Sequence, residues 1–260
     1  MTDQTTYTQT PWSLKDLFDG FEDPKYKAAF DEVRRGVENF QSYRDQLSPD
    51  ISEDLFISII TTYEHFFRLM SRLDGFAQLA FAQDTQDQKA QSAVAEVDQF
   101  SAEMSNQILF FNLWWKGLDD KNAQRLLEAA GDFRYWLVTL RNFKDFTLTE
   151  PEEKIINIKD VTGSRALNML YDSITNRYTF KIEVDGEEKE LTRGELGVLV
   201  REPDPDLRAR AYQTMFSVYE ADAPILGQIY QNIVRDWRNE NINLRGFKSP
   251  MSVRNLVNDI

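Results

Sequence analysis

Apolar residues recur at steps of three and four positions through most of the chain. The longest stretch with this spacing runs from about Ser52 to Trp115, and it is interrupted only by the polar residues 83–88. Spacing of this kind places the apolar side chains on one face of a helix. The stretch therefore predicts two long helices joined by a short turn, which is a long antiparallel helical hairpin.

Shorter helical patterns lie on both sides of this hairpin. One covers residues 26–40, a second extends from about Asn122 to Phe143, and a third runs from Ile225 to Leu244. Ser48 followed by Pro49 is interpreted as the start of the first long helix, because a capping serine before proline is a common way to begin one.

Three helix starts in the second half carry capping signals. Each has a side chain able to accept from a free backbone amide in the first turn, with an acid or a proline placed to complete the start. The acids at these positions therefore have a structural role before any catalytic one. The three starts are Thr149 with Glu152, Thr192 with Glu195, and Asp204 with Pro205.

One segment departs from the helical pattern. Residues 178–184 alternate between apolar and polar side chains and are followed by Asp185 and Gly186, which is a strong signal for a tight β-hairpin. The predicted fold class is therefore all-α, with a long antiparallel helical hairpin and a helical lobe that carries one small β-hairpin.

Composition narrows the function further. The chain has 260 residues, with 30 basic and 43 acidic side chains and a net charge of -13. Its Lys and Arg residues do not form a stripe that would follow a phosphate backbone, so nucleic acid is not an expected partner. The absence of cysteine excludes disulfides and thiol nucleophiles. The polar residues 1–10 and the lack of a long apolar stretch predict a cytoplasmic protein with no membrane segment.

The residues that catalysis would need are mostly missing. A helical zinc hydrolase uses two histidines one turn apart with a glutamate beside the first, whereas His65 is the only histidine of the chain. A serine nucleophile would depend on that same imidazole. Gly163 and Gly194 stand outside any phosphate-binding glycine pattern.

Paired acids and a group of arginines are the remaining candidates. The acid pairs are expected to be solvated caps or turn residues, and the arginines are expected to form surface ion pairs with interleaved acids. No catalytic, cofactor-binding or metal-ligating residue is assigned. The acid pairs are Glu152 with Glu153, Glu187 with Glu188, and Asp119 with Asp120; the arginines are Arg235, Arg238 and Arg245, with Asp236 and Glu240 between them.

The amino-acid sequence of the second half of the chain resembles the oligoendopeptidase F family. Residues 148–155 read LTEPEEKI and residues 162–171 read TGSRALNMLY, similar to the family patterns L-T/S-x-x-E-E-K-I and T-G-x-x-A-x-x-x-L-Y. The hairpin, the helix start at Thr192, residues 206–212 (DLRARAY) and residues 243–247 (NLRGF) follow in the family's order. An early W-x-L-x-x-L that begins at Trp12 is similar to the family's opening motif.

The resemblance implies a nearly all-helical zinc peptidase with a deep channel between two lobes, which hydrolyses short peptides. The family's H-E-x-x-H zinc helix follows the R-G-F stretch, and this chain is expected to stop before it. The chain would then be a lobe that forms part of the channel wall, with zinc and the catalytic half contributed from outside residues 1–260. On this basis residues 1–117 are the N-terminal hairpin region, 118–200 the family's N-terminal domain, and 201–260 the start of the catalytic domain. The alternative is a free-standing helical binding or scaffold protein without catalytic activity.

Overall fold

The computed structural model describes residues 12–260, so the polar N-terminal stretch on which the cytoplasmic prediction partly rests lies outside the described residues. The chain divides into two compact units. Unit 1 comprises the described residues up to Ile158 together with Arg254–Ile260, and unit 2 comprises Lys159–Val253. The division at residues 117 and 200 concerns the architecture of the family and remains a prediction.

The fold is mainly helical with one small β-hairpin, which confirms the predicted fold class. Short 3₁₀ and π-helical turns connect several of the helices. The elements are α1 Pro24–Gln41, α2 Glu53–Gln83, α3 Gln88–Gly117, α4 Asp120–Ala129, α5 Arg134–Arg141, α6 Glu150–Asp160, α7 Ala166–Thr175, β1 Phe180–Val184, β2 Glu187–Leu191, α8 Arg193–Leu199, α9 Pro205–Ala221, α10 Ala223–Arg238 and α11 Pro250–Val257.

The long helical hairpin forms as predicted from α2 and α3, which lie in unit 1. Its first helix starts later than the sequence suggested. The cap is Ser52 and not Ser48, because the Ser52 hydroxyl accepts from the first-turn amide of Leu55 at 3.3 Å. The Ser48 hydroxyl instead donates to the Asp50 carboxylate at 2.7 Å. The extended conformation of Ser52 is the backbone geometry that an N-cap requires, so the helix begins at that point.

Aromatic rings fill the core of unit 1. Phe40 is fully buried, and its ring centroid lies 5.3 Å from that of Phe66 and 5.7 Å from that of Phe111, both near edge-to-face. Trp115 is also fully buried, and its indole nitrogen donates to the Leu137 carbonyl at 2.9 Å. Edge-to-face packing and a satisfied indole are what large rings need in an interior, so these rings are structural.

The predicted helix from Asn122 to Phe143 is wrong in one respect, because it breaks in the middle. Gly131 has φ +53° and separates α4 from α5 through one 3₁₀ turn. A residue in the left-handed region cannot continue a right-handed helix, and glycine adopts that region at little cost. The two short helices therefore turn against each other at this glycine.

Gly131 offers a direct test of this explanation. We expect Gly131→Ala to lower the free energy of unfolding by about 1 kcal/mol, since alanine is strained at positive φ and no atom lies within 4 Å of the added methyl group. Gly75→Ala, inside α2 and equally free of contacts, is expected to raise it by about 0.5 to 1 kcal/mol. Urea unfolding measures both, and a stabilised Gly131→Ala variant would contradict the account.

Unit 2 is built on the β-hairpin. β1 pairs antiparallel with β2, with Phe180 opposite Leu191, and the turn residues Asp185 and Gly186 have φ 56° and 81°. Positive φ at both positions is the geometry of a tight hairpin turn whose twist matches the strands. The inward side chains of β1, which include Phe180, pack with Leu196 of α8 and with the core side of α9. This is the core of unit 2.

The capping signals of the second half are confirmed in most details. Thr192 and Glu195 form the complete capping box, and Asp204 accepts from the Asp206 amide at 2.9 Å. Thr149 differs from the prediction, because its hydroxyl donates to Glu152 at 2.6 Å. Glu152 also accepts from the Thr149 amide at 2.9 Å, so the acid still satisfies the helix start.

The helix predicted from Ile225 to Leu244 ends early. α10 stops at Arg238 and continues as a π-helical turn over Asn239–Leu244. The Arg245 amide donates to the Glu240 carbonyl at 2.9 Å, five residues back, as the wider turn requires. The change of helix type moves Arg245 out of the α-helical register that the sequence suggested.

Candidate functional surface

His65 lies on α2 and does not belong to a set of metal ligands. Its side chain is 71% exposed, and its Nε2 lies 3.8 Å from a carboxylate oxygen of Glu32. Within residues 12–260, no group of three or more His, Cys, Asp and Glu side chains is arranged to hold a metal ion. A catalytic zinc needs three protein ligands that converge at about 2.0 to 2.3 Å. The described residues therefore do not fit the zinc that the family resemblance implies.

The acid pairs at helix starts serve the backbone. Asp119 caps α4 by accepting from the Asn122 amide at 3.0 Å, and Asp120 receives a hydrogen bond from Arg141 at 2.7 Å. Glu153 is buried and accepts from the Leu148 amide at 2.9 Å. The hydrogen bond from the Asn122 side chain, followed by the one from its amide, lowers the pKa of Asp119. Asp119, Asp120 and Glu153 are engaged in caps and pairs, as the sequence predicted, but Glu153 is buried and is not the solvated acid that was expected.

Glu187 and Glu188 are strand residues, which corrects the expectation that they are helix-start or turn residues. They begin β2, where Glu188 lies opposite Glu183 in the register. Like charges directly opposite each other repel, and both β2 acids are exposed to solvent, which screens the repulsion. As consecutive strand residues they project to opposite faces of the hairpin and do not converge on a site.

The arginines near the end of the chain are engaged in different ways. Arg245 donates from Nε to Glu240 at 2.7 Å, which confirms the expected ion pair for this residue. Arg235 donates instead to the side-chain oxygen of Gln231 at 3.3 Å. Arg235 and Arg245 are therefore engaged by different partners.

A group of acids in unit 2 was not foreseen from the sequence. Burial raises the pKa of the Asp160 carboxyl, and the charges of Glu240 and Asp236 raise it further, while Arg165 and Arg245 oppose the effect. Asp160 is at the end of α6, and the other two acids belong to α10 and to the π-helical turn after it. Asp160 is distant in sequence from the two acids that influence its pKa, and no local sequence pattern indicates such an effect.

Tyr178 ties the hairpin to the junction between α9 and α10. Its hydroxyl donates to Asp222, the residue between those helices, at 2.6 Å. Burial, together with this hydrogen bond, raises the pKa of Tyr178 to about 12. The phenol stays protonated at neutral pH, so it acts as a fixed donor and not as an acid or base.

α9 in unit 2 has an apolar surface that is open to solvent. Ala211 is the one buried residue in this helix of 17 residues, whereas α2 buries nine of its 31 residues. Tyr212 and Phe216 are 60% and 52% exposed, and their ring centroids are 4.5 Å apart. We call these two residues the α9 ring pair.

The sequence carried a signal for this surface that the periodicity analysis did not use. Leu207, Ala211 and Met215 lie at four-residue steps and form the core side of α9. The ring pair is displaced from them by one position, about 100° around the helix. A second apolar row beside the core row is the pattern that would have identified it.

The structure is similar to solved peptidases over most of its length. Oligoendopeptidase-F from Enterococcus faecium matches with a TM-score of 0.75 and 18% identity, over 91% of this chain and 47% of that one. A candidate peptidase from Chlamydophila abortus matches with a TM-score of 0.56 and 15% identity, over 97% of this chain and 43% of that one. The chain has the fold of the matched part of these proteins and spans a little under half of their length.

A family comparison agrees with the fold. The model of the family described as Oligopeptidase F matches residues 114–180, which contain the LTEPEEKI and TGSRALNMLY motifs. No curated protein sequence matches the chain at a significant level. The family match and the fold shared with oligoendopeptidase-F confirm the resemblance to the N-terminal portion of the oligoendopeptidase F family. Among the described helices, none has the length and apolar character needed to span a bilayer.

Proposed function

We propose that this chain is the N-terminal lobe of a zinc-dependent oligoendopeptidase that hydrolyses short peptides in the cytoplasm. The observation that carries the proposal is the fold shared with oligoendopeptidase-F over 91% of the chain. The family match over residues 114–180 supports it in sequence. In this role the lobe forms part of the wall of the substrate channel.

The chemistry in this proposal comes from outside residues 1–260. His65 is the only histidine of the chain and is exposed, and the adjacent Glu64 forms an ion pair with Arg68 at 2.7 Å. Zinc, when bound by the catalytic half, would polarise the peptide carbonyl and activate a water molecule. What this lobe contributes is restriction of access, so that only short unfolded chains reach the metal.

A free-standing binding or scaffold protein is the second candidate function. It is favoured by one observation, which is that unit 2 has a closed core of its own around Phe180 and Leu196. The reading frame that encodes the chain separates the two candidates. A continuation beyond residue 260 into H-E-x-x-H supports the peptidase, and a stop there without a separate catalytic chain supports the scaffold.

Metal content gives a direct prediction. Residues 1–260, dialysed against zinc and washed, are expected to retain far less than one zinc per chain, since one histidine without cysteine leaves mainly carboxylates, which favour harder cations. The protein that includes the catalytic half is expected to retain about one. Elemental analysis of both samples measures this. Stoichiometric zinc on residues 1–260 alone would contradict the proposal that the zinc is bound outside this lobe.

A further inference from the structure

A surface groove lies between the first parts of α1 and α3, within unit 1. Its volume is about 690 Å³, and we call it the α1–α3 groove. Most of its α3 wall consists of residues at steps of three and four positions, which share one face of the helix: Lys89, Ser92, Ala93 and Glu96. The two small residues separate the two charged ones, so the wall has a positive end and a negative end.

The end of the groove at Lys89 has an excess of positive charge. Lys27 and Glu22, which also line this end, form an ion pair with an N–O distance of 2.7 Å. The hydrogen bond from Lys27 is the main cause that lowers the pKa of Glu22, and the charge of Lys89 contributes. Lys89 forms no ion pair of its own with the residues that the structure describes. Its ammonium group is therefore available to an anionic group of a ligand.

The other end of the groove has an excess of negative charge. Arg34, the cation that lines this end, donates to the Asp31 carboxylate at 2.8 Å, so these two charges balance each other. Glu96 forms no ion pair within residues 12–260. A cationic group of a ligand would therefore find an unpaired carboxylate here.

Tyr26 lines the same groove from α1 and has an unsatisfied hydroxyl. The side chain is only 4% exposed, and none of the described residues gives its buried hydroxyl a hydrogen-bond partner. Burial, and to a smaller extent the charge of Glu96, raises the pKa of Tyr26 to about 12. Buried polar groups in proteins nearly always have a partner. An unpaired hydroxyl near an unpaired carboxylate is suited to an ammonium group, which has three donors.

We propose that the α1–α3 groove binds a tripeptide with both termini free. Its ammonium group donates to Glu96 and to the Tyr26 hydroxyl oxygen, and its carboxylate accepts from Lys89. The two charged residues are about 10.5 Å apart along the axis of α3. An extended peptide spans about 3.3 to 3.6 Å per residue, so a tripeptide matches this separation. The half-buried ring of Phe21 lines the groove and offers an apolar contact to the peptide.

The length of the ligand follows from these two charges. A single amino acid is too short to reach both, and a much longer peptide can place only one of its termini in the groove. Tripeptides are among the products that cleavage of short peptides releases. The groove is thus compatible with the proposed function, but its recognition of free termini does not depend on that function.

A titration of residues 1–260 with the tripeptide alanyl-leucyl-alanine, followed by the amide NMR signals of α3, tests the proposal. We expect saturable shifts around Ser92 with a Kd of about 1 mM, since solvent-exposed ion pairs are weak. The N-acetylated and the C-amidated tripeptide each lack one terminal charge and are expected to bind several-fold more weakly, as is free leucine. The absence of saturable shifts in α3, or equal affinity for the free and the blocked peptides, would overturn the proposal.

Two substitutions on the same helix provide a matched pair. Glu96→Gln is expected to weaken binding of the tripeptide several-fold, because it removes the charge that faces the ammonium group. Glu103→Gln removes the same charge from an exposed acid of α3 that accepts from Gln99 at 2.7 Å and lies outside the groove. We expect this variant to bind like the parent protein. Equal effects of the two variants would refute the location.

Tyr26→Phe tests the role of the unsatisfied hydroxyl. The variant keeps the ring and removes a buried group that lacks a partner, so its free energy of unfolding is expected not to fall. Its affinity for the tripeptide is expected to fall several-fold, because one acceptor of the ammonium group is lost. A less stable variant would mean that the hydroxyl is already paired in the free protein. That outcome, or unchanged affinity, would overturn the proposal.

These measurements do not involve hydrolysis. Tripeptide binding in a protein without peptidase activity would leave the groove standing and remove the proposed function. Peptidase activity in a protein whose α3 signals do not respond to the tripeptide would do the reverse. The two conclusions can therefore fail separately.

Discussion

Replacing Trp115 with alanine is expected to lower the free energy of unfolding by about 3 to 5 kcal/mol, the range for a large ring removed from a packed core. The side chain is fully buried, stacks on Phe56 at 5.4 Å and donates to the Leu137 carbonyl. The substitution leaves a cavity and an unpaired buried carbonyl, and both effects destabilise the fold. Urea unfolding followed by circular dichroism measures the loss.

The neighbouring tryptophan is the matched control. Trp114 is partly exposed, so Trp114→Ala removes a side chain of the same size and leaves a smaller cavity. We expect it to cost clearly less than Trp115→Ala. Equal losses for the two variants would mean that the burial of Trp115 does not determine the stability of unit 1.

The elements that the sequence predicted well are those with long, regular patterns. α2 and α3 each repeat an apolar face over about 30 residues, and such a repeat outweighs local exceptions. The β-hairpin was equally clear, because Asp185 and Gly186 both tolerate positive φ. These features depend on residues that are close in sequence, which is why they could be predicted.

The elements that were predicted poorly depend on backbone conformations that the sequence does not reveal. Gly131 stands in a helical pattern, where a glycine is often tolerated, and only the structure shows that its φ is +53°. The π-helical turn over Asn239–Leu244 likewise keeps an apolar spacing that is compatible with an ordinary helix. Ser48 failed as a cap because Ser52 offered the same chemistry four residues later.

The candidate surface could be predicted only in part. Counting histidine and cysteine was enough to predict that residues 1–260 hold no conventional zinc site, and this is still a prediction that requires measurement. The sequence shows both apolar rows of α9, but helical spacing alone does not say which of them packs inward, so the structure was needed to show that the α9 ring pair is the exposed row. The electrostatic influence of Glu240 and Asp236 on Asp160 joins distant segments and had no local signal.

The central claim is that this chain is a peptidase lobe whose chemistry lies outside residues 1–260. The most direct test follows cleavage of a short internally quenched peptide by three samples with added zinc: residues 1–260 alone, the H-E-x-x-H polypeptide of the same genome alone, and the two together or joined as one chain. The account predicts no chelator-sensitive cleavage by residues 1–260 and clear, chelator-sensitive cleavage by the combined protein. Chelator-sensitive cleavage by residues 1–260 alone, or none by a folded, zinc-loaded combined protein, would contradict it.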